Sequence, residues 1–177
     1  ETIKARQLLQ LTLDTVEAKK YDSSDNFEIT LRNMEMEGQL YKNLAILEDK
    51  VYEETKARRK LQSTVDFVFG NKRSNEVLHP ERISHACLEL AQFCNRILTK
   101  KSKINIEESD AGENASLVTT VVSMYTIAAA YGSVVAVDMF PRVLAILLQH
   151  HGNNEQILKH FSDMRKEKCA TWIFLRW

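Results

Sequence analysis

Between roughly Thr2 and Lys20 the apolar residues Ala5, Leu9, Leu13 and Val16 recur at spacings of three and four, the period that lines one face of a helix. Tyr21-Asp-Ser-Ser-Asp-Asn26 is polar and reads as a connection, with side chains suited to accept hydrogen bonds from the free amides of a following helix. From Phe27 onward two apolar stripes run together. Phe27, Leu31, Met34, Tyr41, Ala45 and Tyr52 make one, and Leu40, Leu44, Leu47 and Val51 the other. A helix with two stripes has neighbours on two sides, as in stacked helical arrays. The pattern continues through Leu61, Val65 and Val68 to a break at Gly70-Asn71, and no Pro or Gly interrupts it after Gly38, so one long helix is predicted.

A second block opens at Pro80, a residue suited to the first helical position because its missing amide has no partner there. Ile83, Cys87, Leu90, Cys94 and Ile97 form its stripe, and Lys100, Lys101 and Lys103 follow where cations favour a helix end. Asn105 to Asn114 carries Glu107, Glu108, Asp110 and Glu113 and reads as an acidic exposed loop. Helices are predicted at about Ala115 to Tyr131 and Ser133 to His150. Pro141 lies inside the second, where its missing amide and its ring predict a kink or a break. Asn154 to Met164 reads as a further helix, and the apolar run Thr171 to Trp177 as the start of another. The fold class is all-α: stacked antiparallel helical hairpins of the α-solenoid kind, TPR- or HEAT-like, and part of a larger array. Residues 1–75 form an unassigned hairpin region with the long helix, and residues 76–177 the later repeats.

Composition narrows this further. Five glycines and two prolines in 177 residues are about 4%, against roughly 12% in average proteins, which disfavours a sandwich or barrel of many tight turns. The 24 basic and 24 acidic residues cancel, so no long-range field draws the chain to nucleic acid or an anionic membrane. The apolar stretch Val134 to Leu148 is interrupted by Asp138, Pro141 and Arg142 and is too short to span a bilayer. The three cysteines lack metal-ligand spacing, and Cys87 and Cys94, seven residues apart on one helix, are too distant for a disulfide. Buried thiols in a reducing compartment are the expectation.

Candidate chemistry is sparse. The chain has no glycine-rich phosphate loop and no nucleophile elbow. His150, His151 and His160 lack the i, i+4 pairing with a carboxylate that a metal site uses, although a small helical enzyme around His150, His151 and Glu155 is a third-ranked alternative. Lys56-Ala-Arg-Arg-Lys60 has Glu53 and Glu54 within a turn and reads as a solvated, salt-bridged face rather than a localisation signal. Asn114-Ala-Ser116 is a glycosylation sequon of the kind that arises by chance. Glu107 and Glu108 lack a rigid frame for acid–base work. Trp172, Phe174 and Trp177 read as packing residues rather than a base-stacking surface.

One set of motifs goes further. Leu88-Glu-Leu-Ala-Gln-Phe-Cys-Asn95, the helix leading through Tyr131-Gly132, then Phe140, Pro141, Arg142 and Leu144, and finally Trp172, Phe174 and Trp177 follow one another in order. This order resembles the end of the FAT domain in phosphatidylinositol 3-kinase-related protein kinases, above all the branch acting in DNA double-strand-break repair. The resemblance covers about residues 83 to 177. It implies a curved stack of helical hairpins wrapped around a kinase domain outside this chain. It also implies a nuclear Ser/Thr kinase of non-homologous end joining, using ATP and Mg²⁺ held elsewhere and binding the Ku heterodimer on DNA ends. No catalytic, cofactor-binding or metal residue is implied here. Partners within that protein would be its own kinase domain and the neighbouring repeats, with no membrane and no direct nucleic-acid site. The alternative is an unrelated helical-repeat adaptor with a protein-binding groove along Phe27 to Tyr52.

Overall fold

The computed structural model describes residues 2–19, 27–70, 80–103, 111–150 and 159. Among them are six helices and no strand: α1 (Thr2–Lys19), α2 (Phe27–Glu48), α3 (Val51–Gly70), α4 (Pro80–Lys103), α5 (Ala111–Ala130) and α6 (Val134–His150). The protein is all-α, built from helices that pack on their sequence neighbours as hairpins. Contacts cluster into two units, Glu1–Val77 and Leu78–Trp177. Expected elements at Tyr21 to Asn26, Asn154 to Met164 (Lys159 apart) and Thr171 to Trp177 lie outside the described residues.

In the first unit α1 docks through its C-terminal half. Leu13 and Val16 are buried, Leu9 is half-buried, and Ala5 is exposed together with Leu8 and Leu11. An ion pair of 2.6 Å from Arg6 Nε to Glu48 Oε1 fastens α1 to the far end of α2.

The predicted single long helix is instead two helices. The chain reverses at Asp49 and Lys50, with Asp49 in the left-handed region at φ 54°. Asp is one of the few side chains that visit this region routinely, so the turn needs no glycine. The Asp49 amide donates to the Ala45 carbonyl at 3.0 Å and closes α2, while the Glu54 amide donates to the Lys50 carbonyl at 3.0 Å and opens α3. Folding back is favoured because a straight helix would leave its apolar residues in water. In the hairpin, Leu31, Leu40, Tyr41, Leu44 and Ala45 of α2 are buried, as are Ala57, Leu61, Val65 and Val68 of α3. Val51 and Tyr52, assigned to the stripes of the long helix, are exposed beside the turn. Gly38 permits a close approach, since a Cβ there would stand 3.0 Å from Leu61 Cδ2. At the open end the rings of Phe27 and Phe67 stack with centroids 5.1 Å apart.

In the second unit every member of the α4 stripe, Ile83, Cys87, Leu90, Cys94 and Ile97, is buried. α5 starts at Ala111, so residues 111–114 are helix rather than loop; Glu113 lies in its first turn, where the positive end of the helix favours an acid. Its carboxylate accepts from Lys101 Nζ at 2.6 Å, joining the last turn of α4 to the first turn of α5. Between α5 and α6 the Ser133 amide donates to the Ala128 carbonyl at 2.9 Å and the Gly132 amide to Ala129 at 3.0 Å, with Gly132 at φ 94°. That is a Schellman ending, which requires a residue free of the Cβ penalty. Ser133 then caps α6, its Oγ accepting from the Ala136 amide at 3.1 Å.

α6 runs unbroken through Pro141, so of the predicted kink or break the break does not occur. Proline removes one backbone hydrogen bond there. Phe140 and Val143 flank it and are buried, as is Leu147 one turn on, so packing holds both halves of the helix.

Candidate functional site

Among the described residues a polar cluster lies in the seam of the α2–α3 hairpin. Glu37 and Tyr41 are four residues apart on α2 and share one face; Lys56 and Lys60 are four apart on α3. The hairpin runs the two pairs antiparallel, so Glu37 meets Lys60 and Tyr41 meets Lys56. Lys60 Nζ donates to Glu37 Oε1, with the carboxylate side chain 5% exposed and the lysine side chain 33% exposed. Lys56 Nζ stands 4.3 Å and Lys60 Nζ 5.6 Å from the centroid of the Tyr41 ring, which is itself buried. A hydrogen bond with Tyr41 holds the Lys56 amine above its ordinary range, against the opposing effect of burial. Next along α3, the buried Thr64 returns its hydroxyl to the Lys60 carbonyl at 3.1 Å.

The expected solvated, salt-bridged face at Lys56 to Lys60 is salt-bridged, but in part across the seam rather than toward solvent. Arg59 is exposed, but Lys56 and Lys60 turn inward across the seam instead of pairing only along their own helix with Glu53 and Glu54. The matching spacings of Glu37 with Tyr41 and of Lys56 with Lys60 were a signal in the sequence; it is readable only once the chain is known to reverse between them. The apolar stripes of α2 meet neighbours on two sides. Both α1 and α3 pack on α2, and Leu40, Tyr41, Leu44 and Ala45 are covered.

At the Glu48–Asp49–Lys50 turn a smaller cluster gathers. Glu48 accepts from Lys50 Nζ at 3.0 Å and pairs with Arg6. The Lys50 hydrogen bond, reinforced by the charge of Arg6, holds the Glu48 carboxyl below the usual carboxylate range despite an opposing desolvation effect. These groups pin a turn and form no concavity with a reactive atom.

In the second unit the motif residues fall on α6. Phe140 is buried and its ring lies against Tyr125 of α5, with centroids 6.1 Å apart. Pro141 and Leu144 are half-buried, and Arg142 is exposed, 3.9 Å from Asp138 one turn earlier. The Tyr125 phenol is pushed up by burial. Beneath it, Ser84 Oγ donates to the Ala128 carbonyl at 3.1 Å, so one carbonyl receives both α4 and the turn into α6. Trp172, Phe174 and Trp177 lie outside the described residues, as do Glu107, Glu108, His151, Glu155 and His160.

The nucleophile inventory is equally plain. Cys87 and Cys94 are buried thiols, and desolvation pushes the Cys87 thiol up to about 12. A thiol held neutral in an apolar surrounding packs as a small hydrophobe rather than attacking an electrophile. Among the described residues no group of three His, Cys, Asp or Glu side chains is placed to hold a metal ion. Nor is any helix among them long and apolar enough to cross a membrane.

Comparison with protein-family models, with curated proteins and with solved structures returned no match for this chain.

Proposed function

We propose that this chain is a helical scaffold segment of a large nuclear Ser/Thr protein kinase of the phosphatidylinositol 3-kinase-related family, most like the DNA-dependent protein kinase catalytic subunit. Its role is to support and regulate a kinase domain outside these residues. The observation that carries the reading is the ordered series from Leu88–Asn95 through Phe140, Pro141, Arg142 and Leu144 to Trp172, Phe174 and Trp177.

An all-α hairpin architecture is compatible with that role. Packed helices shift between discrete arrangements, which lets a stack of them carry a rearrangement from a partner-binding region to a catalytic cleft. ATP and Mg²⁺ belong to the kinase domain in this reading, and the sequence of this chain offers no glycine-rich phosphate loop to hold them. The Ku heterodimer on DNA ends is the partner of the whole protein.

The test is an immunoblot of the native source with an antibody raised against a peptide of residues 105–114, followed by a kinase assay on the immunoprecipitate. A species many times the 20.4 kDa of this chain, with Ser/Thr kinase activity, is the expected result. A species of about this chain's own mass, without kinase activity, overturns the proposal.

A further inference from the structure

The last two turns of α4 carry a pattern that the scaffold role does not use. Arg96, Thr99, Lys100 and Lys101 follow one another as Arg-x-x-Thr-Lys-Lys. On a helix Arg96 and Thr99 are neighbours at i and i+3, and both are exposed. The Thr99 hydroxyl has one hydrogen bond in the structure, donated to the Asn95 carbonyl at 2.9 Å, which a rotation of the side chain releases. A cation three residues before a hydroxyl and another two residues after it are the contacts that an acidic substrate cleft selects.

We propose that Thr99 is a phosphorylation site for a basophilic Ser/Thr protein kinase, recognised through Arg96 and Lys101. In the step, Thr99 Oγ1 attacks the γ-phosphorus of ATP and the new P–O bond forms. The bond from that phosphorus to the β–γ bridging oxygen breaks, ADP leaves with the electron pair, and the hydroxyl proton passes to the kinase's catalytic base. The product dianion sits beside Arg96 on the same face, which offers a charge-assisted partner.

Two other hydroxyls serve as internal comparisons. Ser102 is exposed, but Thr99 stands three residues before it and Ile104 two after. Ser63 has Lys60 three before, but Val65 stands two after. Thr99 alone of the three has cations at both positions. A kinase reads an extended segment, so the end of α4 must open, and helix ends open at the lowest cost. Opening there must release the buried Ile97 and Leu98 as well as the Lys101–Glu113 ion pair.

The proposal stands whether or not the chain belongs to the kinase family above. The full chain is incubated with Mg-ATP and a protein kinase C catalytic domain, and the phosphate is located by tandem mass spectrometry. Phosphate on Thr99, lost in Thr99→Val, is the expected result; no incorporation, or phosphate placed instead on Ser102 or Ser63, overturns the proposal. Arg96→Gln is expected to slow incorporation about tenfold, the effect of a lost charged hydrogen bond; an unchanged rate overturns recognition through Arg96. Glu113→Gln should speed it about two- to fivefold, as loss of a partly exposed ion pair allows. An unchanged rate there refutes the restraint assigned to that ion pair. Arg96 and Thr99 are both exposed, so circular dichroism of their variants should match that of the unsubstituted chain.

Discussion

Replacing Lys60 by methionine keeps the length and apolar stem of the side chain and deletes the ammonium that pairs with Glu37 inside the α2–α3 seam. Removing one partner of a fully buried ion pair costs about 3–5 kcal/mol, because the remaining charge stays in a low-dielectric site. Here the lysine side chain is 33% exposed while the carboxylate is 5% exposed. Water therefore already screens one side of the pair, and the expected cost is about 2–3 kcal/mol. The opposite deletion is not equivalent. In Glu37→Leu the remaining charge belongs to a flexible lysine that can swing its head to solvent, so about 1 kcal/mol or less is expected. Glu37→Leu with Lys60→Met removes both charges of the pair from the seam and should return to within about 1 kcal/mol of the starting protein, leaving a coupling of roughly 2 kcal/mol. The assay is urea unfolding of the full chain by circular dichroism, with hydrogen exchange read peptide by peptide. Local readout matters because contacts cluster into two units and a single transition is not guaranteed. Equal costs for the two single variants, or a double variant no more stable than Lys60→Met, would refute the burial asymmetry on which the calculation rests.

Phe140→Ala should destabilise by about 3–5 kcal/mol and strip exchange protection from α5 and α6, since Phe140 is buried against Tyr125; a loss below about 1 kcal/mol would count against that packing. Asp49→Gly should leave stability unchanged or raise it by up to about 1 kcal/mol, and Asp49→Val should lower it by about 1–2 kcal/mol, because φ is 54° there; equal melting temperatures for the two would contradict the left-handed turn. In a Cys169→Ser background, Cys87 and Cys94 should ignore a disulfide reagent at pH 8 until urea is added, and prompt labelling would mean that the α4 face is open. The Cys87 thiol, whose ordinary value is 9.0, is raised to about 12 in the fold. The native state therefore holds its proton after the unfolded state has released it. Stability is complete below about pH 9 and falls as pH climbs toward 12, and Cys87→Ala should make that fall shallower.

How far the chain could be read from its residues differs by element. The α4 helix was fully legible: Pro80 begins it, and its five stripe residues at spacings of four and three are all buried. The end of α3 at Gly70 was legible for the same reason, a punctuating residue in the right place. The start of α5 was not. Its first turn carries Gly112, Glu113 and Asn114, a composition that also describes a loop, and the Lys101 contact to Glu113 comes from another helix. The Glu37–Lys60 and Tyr41–Lys56 contacts were equally hidden, since residues 23 and 15 positions apart carry no local sign that they meet.

By its pattern alone the sequence determines that the chain is helical, because apolar residues at a period near 3.6 and the scarcity of glycine and proline act within each segment. Where the helices turn back was decided by tertiary structure. Nothing in Glu48-Asp49-Lys50 forbids a continuing helix, and the reversal follows from burying the α2 stripe against the α3 stripe. At Pro141 the local rule allows a break, and the packing of Phe140, Val143 and Leu147 keeps the helix continuous. Both outcomes have one cause: a propensity is worth about a kilocalorie per residue, or about three for proline, whereas a buried stripe combines several side chains worth roughly 1.5–3 kcal/mol each.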